Sequence, residues 1–95
     1  KFNCVDKSIV INEDITNDDI ETRLIDKKFD IIFLDPPYKT ENFINLLNKI
    51  IDIKLLNKNG IIIIHRSKKT LESLPKNFQI VQIKTYGISK IIFGY

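Results

Sequence analysis

The segment Phe29-Asp30-Ile31-Ile32-Phe33-Leu34-Asp35-Pro36-Pro37 constrains the fold more than any other part of this chain. Its apolar residues are nearly continuous rather than alternating, the pattern of a strand covered on both faces. Such strands occur where helices flank a parallel sheet. Asp35 ends the run. Pro36 and Pro37 can neither donate to a sheet ladder nor lead straight into a helix. The chain is therefore expected to be α/β, with a buried strand that stops abruptly at the rim of its sheet.

The rest of the sequence extends that pattern. Ser8–Asn12 is a β-branched run that reads as a strand. Beyond Asp14 and Ile15, Thr16 or Asn17 can cap a helix that has Asp18, Asp19 and Glu21 near its start, with Ile20 and Leu24 on one face. Thr40 caps a second helix with an apolar stripe of Phe43, Leu47, Ile50 and Ile51. That helix is expected to stop near Asn57-Lys58-Asn59-Gly60, with Gly60 in a left-handed exit. Ile61–Ile64 is the next buried strand, ending at His65-Arg66, and a short helix is expected from Lys69 to Leu74. Phe78–Lys84 and Ser89–Phe93, joined through Tyr86-Gly87-Ile88, read as an antiparallel hairpin. The order β-α-β-α-β-α-β-β is a doubly wound, mostly parallel pattern that closes with a hairpin. With no repeat or linker, residues 1–95 read as part of one domain. Ligands of such sheets sit outside the carboxyl ends of the strands, and Asp14, Asp35–Tyr38 and His65–Lys69 all fall on that rim.

Composition narrows the classes further. At 43% hydrophobic and 28% charged the chain reads as globular rather than disordered. Its longest apolar runs are strand-sized, as at Ile61–Ile64, against the roughly 20 residues a membrane span requires. No secretory leader pattern follows Lys1. Cys4 is the single cysteine, which excludes an internal disulfide and a cysteine-based metal site. No metal, no membrane and a cytoplasmic location are the expectations. The net charge of +3 argues little for a polyanionic partner, because an excess of Lys over Arg beside abundant Ile and Asn is what AT-rich codons produce.

The chemistry lies in Asp35-Pro36-Pro37-Tyr38. An exocyclic amine of a nucleobase is a poor nucleophile, because its lone pair is delocalised into the ring. Two acceptors gripping its two N–H bonds hold the nitrogen nearer tetrahedral geometry and aim the lone pair at an incoming methyl group. The Asp35 carboxylate is a strong acceptor with no competing donor. The Pro36 carbonyl, directed by the stiff Pro-Pro backbone, is the second. Tyr38 offers a flat face on which a base drawn out of its helix can stack. Positioning of this kind requires no metal. The plainer alternative is a strand that ends in a proline-rich turn.

At these residues the chain resembles a known family. Asp30-Ile31-Ile32-Phe33-Leu34-Asp35-Pro36-Pro37-Tyr38 looks like motif IV of the class I S-adenosylmethionine-dependent amino-methyltransferases. The ending Tyr86-Gly87-Ile88-Ser89-Lys90-Ile91-Ile92-Phe93-Gly94-Tyr95 is similar to that of the RsmD group, which methylates the N2 amine of a guanine in 16S ribosomal RNA. The resemblance implies a partial Rossmann-like sheet lacking its first two strands. It implies that Asp35 and Pro36 hold the guanine amine while Pro37 and Tyr38 contact the base. Asp14, Ile15 and Asp35 would face the cofactor S-adenosylmethionine. Independently of the resemblance, Lys39, Arg66, Lys68 and Lys69 fall on the rim beside the pocket, where they could meet RNA phosphates; ordinary solvated side chains are the plainer alternative. His65 is expected to be structural or close to the substrate.

The family's glycine-rich cofactor loop has no counterpart, since Gly60, Gly87 and Gly94 lie far apart. The chain alone is thus expected to be an inactive, monomeric fragment whose partner is ribosomal RNA or the small ribosomal subunit. Two rivals remain at this point. One is an N6-adenine DNA methyltransferase sharing motif IV, and the other is a non-catalytic RNA-binding module derived from the fold.

Overall fold

A computed structural model of the chain describes residues 2–5, 7–11, 27–35, 40–69 and 74–95. Its strands are β1 (Phe2–Val5), β2 (Ser8–Ile11), β3 (Phe29–Leu34), β4 (Leu56–Ser67), β5 (Ile80–Tyr86) and β6 (Ser89–Gly94), and the helix α1 spans Thr40–Asp52. The expected helix after Asp14 and most of the one after Lys69 lie outside the described residues.

All the strands join one six-stranded sheet in the order β1-β2-β3-β4-β6-β5. The central strands β2, β3 and β4 are mutually parallel. β6 runs antiparallel to β4 and to β5, forming the expected terminal hairpin. β1 adds an antiparallel strand on the other side, paired from Phe2↔Ile11 to Val5↔Ser8, which the sequence reading did not foresee. Gly87 turns the hairpin with φ of +55°, the positive value that two-residue hairpin turns of the primed classes require.

Alternation along the strands decides where the core lies. Ile9 and Ile11 of β2, Ile32 and Leu34 of β3, Ile62 and Ile64 of β4 and Ile92 of β6 are all buried. They share a cluster with Phe43, Leu46, Leu47 and Ile50, the apolar stripe of α1. On the opposite face of the sheet Ile31 is 41% exposed, and Phe33, Ile61 and Ile63 are only half-buried. The continuous apolar run of β3 suggested cover on both faces. Among the described residues a single helical layer covers one face, so the residues of the other face stay partly open.

The exit from α1 differs from expectation. The helix ends at Asp52, and Leu56–Asn59 already belongs to β4. The left-handed residue that follows the helix is Lys54, with φ of 55°, not Gly60, and Asn59 (φ 69°) takes a similar conformation within β4. Lys54 N–H donates to the Ile51 carbonyl at 3.1 Å, and Leu55 N–H to the Ile50 carbonyl at 3.2 Å. That pair of bonds is a Schellman stop, and the buried Leu55 and Ile50 supply its usual apolar contact. Gly60 serves another purpose. A Cβ there would lie 2.9 Å from the carbonyl of Asp30 and 2.7 Å from Leu56 Cδ1, so glycine lets β4 approach β3 at a register shift.

Candidate active site

The register of the parallel ladder builds the site. Ile11 pairs with Leu34, and Leu34 pairs with Ile64, so three buried aliphatic residues stand abreast at the carboxyl end of the sheet. One residue further along, the side chains turn to the opposite face. Asp35 and His65 therefore emerge next to each other. His65 Nδ1 lies 2.8 Å from Asp35 Oδ1. An ionised carboxylate only accepts, so the Nδ1–H of His65 is the donor. The Asp35 backbone N–H meanwhile donates to the Ile11 carbonyl at 2.9 Å, which extends the β2–β3 ladder by one step. Asp35 is thus held by β2 through its backbone and by β4 through its side chain. The side chains of His65 and Asp35 remain 36% and 47% exposed, open to a ligand arriving at the rim.

The other expected site residues divide into three groups. Asp14, Ile15, Pro36, Pro37, Tyr38 and Lys39 lie outside the described residues. Lys68 and Lys69 are exposed in the turn that follows β4, where Lys68 N–H donates to the Ile88 carbonyl at the hairpin tip and Lys69 N–H to Ser67 Oγ. Arg66 requires a correction. It shares the parity of Ile62 and Ile64, so it points to the helix-covered face rather than outward with the lysines. Only 6% of it is exposed, and its guanidinium lies 4.6 Å from the centroid of the Phe43 ring. A cation stacked on an aromatic face in this way secures α1 to the sheet. It is not a free phosphate contact.

Sequence reasoning kept His65 apart from Asp35. A signal for their meeting was present, because each directly follows the last residue of an apolar strand run (Leu34 and Ile64). Parallel strands whose runs end level bring the next residues together.

A cavity of about 340 Å³ opens at the opposite end of the sheet, lined by residues that include Lys28, Leu56, Lys58 and Tyr95. It contains none of the site residues read from the sequence. Of the described site residues, Asp35 and His65 stand together on the open rim instead. Among the described residues no three His, Cys, Asp or Glu side chains converge as metal ligands, and no helix is long and apolar enough to cross a membrane.

A carboxylate on the rim of a mixed sheet, at the end of its middle parallel strand and with an antiparallel hairpin beyond, defines an α/β methyltransferase-like fold. A Haemophilus influenzae protein assigned as a methylase superposes with a TM-score of 0.65 at 22% identity, covering 84% of this chain and 50% of its own. A conserved hypothetical protein of Streptococcus pyogenes gives 0.61 at 33% identity, over 76% of this chain and 48% of its own. By sequence, the chain belongs to the family Conserved hypothetical protein 95, whose pattern it matches over residues 1–95. An uncharacterized methylase of Rickettsia prowazekii (strain Madrid E) is 36% identical over 66 residues, which is 70% of this chain and 28% of that protein. The chain therefore spans half or less of the length of these relatives.

Proposed function

We propose that the chain carries the amine-binding side of an S-adenosylmethionine-dependent methyltransferase acting on the N2 amine of a guanine in 16S ribosomal RNA. The observation that carries this reading is the solvent-open Asp35 carboxylate at the carboxyl end of β3, anchored by Ile11 and His65 and leading into Pro36-Pro37-Tyr38. Methylases among the relatives support the methyl-transfer chemistry. The similarity of the last ten residues to the RsmD ending supports the guanine.

The residues suit such a substrate. Asp35 accepts an N–H of the amine, and with the Pro36 carbonyl it aims the nitrogen lone pair. The nitrogen sheds one proton when it is methylated, and the Asp35 carboxylate that grips its N–H is an acceptor for it. Tyr38 stacks the base, and Lys68 and Lys69 neutralise backbone phosphates. Bound S-adenosylmethionine supplies the electrophilic methyl group. Asp14 and Ile15 would contact its adenine.

The test is methyl transfer from tritiated cofactor to unmethylated small-subunit particles by the full-length gene product, followed by nucleoside analysis. The expected product is N2-methylguanosine, with a loss on the order of 100-fold or more for Asp35→Ala. Label on adenine when DNA is offered as the substrate would identify the N6-adenine alternative, and RNA binding without any transfer would identify a non-catalytic module.

A further inference from the structure

We infer that His65 is a positioning residue that fixes which oxygen of Asp35 meets the substrate amine. The inference rests on the amine-binding reading of Asp35 and adds a requirement at a second position. The last side-chain torsion of an aspartate is broad and nearly two-fold, so a carboxylate on an open rim presents either oxygen at a range of angles. Here Oδ1 is occupied by the Nδ1–H of His65 at 2.8 Å. Oδ2 is then the oxygen left to accept from an amine. An acceptor that must aim a lone pair gains from this restriction, because misplacement of a reacting group by about 1 Å can lower the rate on the order of 100-fold.

The nearest neighbours of His65 on its own face of the sheet, Asp35 apart, are apolar. His65 pairs across the ladder with Ile91 of β6, and Ile63 precedes it on the same face of β4. Both neighbours are aliphatic. Arg66 and Lys90 have the opposite parity and face the other side, while Lys84, which pairs with Ile91 from β5, shares the face of His65 two strands away. The polar contact of the imidazole is with Asp35 Oδ1.

The discriminating property is the donor at the Nδ1 position, which the side-chain amide nitrogen of asparagine reproduces and alanine does not. In the full-length gene product, His65→Ala should lower kcat on the order of 10- to 100-fold with KM for cofactor and RNA nearly unchanged, while His65→Asn stays within about threefold of wild type. Wild-type kcat for His65→Ala, or equal losses for His65→Asn and His65→Ala, overturns the positioning role. Should His65→Ala fail to fold, 15N resonances of the imidazole in labelled wild-type protein decide instead. A protonated Nδ1 that becomes a tautomer mixture in Asp35→Asn supports the role, and a bare Nδ1 in the wild type overturns it. Asp35→Ala separates the two readings. Full activity there removes the amine-binding assignment and this inference with it, whereas loss in Asp35→Ala beside wild-type kcat in His65→Ala removes this inference alone.

Discussion

The left-handed lysine at the end of α1 yields a quantitative prediction. Lys54 holds φ of 55° and is exposed, so its side chain contributes little burial to offset the backbone strain. An L-residue in this conformation costs about 1–2 kcal/mol, a penalty glycine escapes. Glycine forfeits about 0.5–1 kcal/mol through the greater freedom of its unfolded chain. Lys54→Gly should therefore stabilise the fold by about 0.5–1 kcal/mol. For a folding unit of 95 residues that corresponds to a rise of about 2–8 °C in Tm. The three stabilising bonds of the stop (Ile53, Lys54 and Leu55 N–H to the Lys49, Ile51 and Ile50 carbonyls) involve backbone atoms only and persist in the variant. So does the backbone carbonyl of Lys54 that accepts from Lys28 Nζ. Lys54→Ala is the control, because it removes the same side chain and retains the strain. Its Tm should stay close to wild type. Thermal melts and urea titrations followed by far-ultraviolet circular dichroism measure both. A Lys54→Gly variant no more stable than Lys54→Ala would refute the Schellman stop.

Gly94→Ala should destabilise the chain by about 1–3 kcal/mol, since a Cβ there would overlap the Phe78 ring and the Gln79 carbonyl; a urea midpoint equal to wild type would show that the hairpin does not pack on Phe78 as described. Gly87→Ala meets no atoms within 4 Å and retains only the strain of φ +55°, so a loss of about 1–2 kcal/mol is expected, with Asn better tolerated than Ala in the same urea titration. Phe43→Ala deletes a fully buried ring and uncovers Arg66, which should cost about 3–5 kcal/mol in equilibrium unfolding; under 1 kcal/mol would contradict the packing of α1 on the sheet. Replacing both Lys68 and Lys69 by alanine in the full-length gene product should flatten the salt dependence of RNA binding, by about 0.7 in logarithmic slope per lost phosphate contact on a single strand. An unchanged slope would remove these lysines from the interface.

How much of this was legible in the sequence depended on the range of the forces involved. β3 was readable to the residue because an apolar run and two prolines are both local signals. The start of α1 at Thr40 and the start of β6 at Ser89 were equally local. The end of α1 was not. Apolar residues continue through Ile53, Leu55 and Leu56, so periodicity carries the helix past its true stop, and the lysine that ends it has no preference for a left-handed turn. Burial of Leu55 against the core settles the matter, and that is a tertiary contact. β5 showed no clean alternation for a related reason. It is the edge strand, exposed along its whole length, so no face selects its residues. β1 had no signal of its own and owes its shape to the partner strand β2.

The pairing of Asp35 with His65 shows why a candidate site can be half visible from sequence. Each side chain is individually noticeable, but their meeting depends on register, which the core sets. Leu34 and Ile64 are fully buried on the helix-covered face and stand opposite each other in the ladder. A slip of one residue between β3 and β4 would rotate one of these isoleucine-and-leucine rows out of the core and break the match. It would also carry a charged or polar rim residue toward α1, where an unpaired carboxylate is strongly disfavoured. The aliphatic residues that look least informative therefore hold the polar pair in place. Motif recognition finds Asp35 because its neighbours are distinctive. It passes over His65, whose role is set by a strand more than twenty residues away in sequence and by the residue count from Ile64.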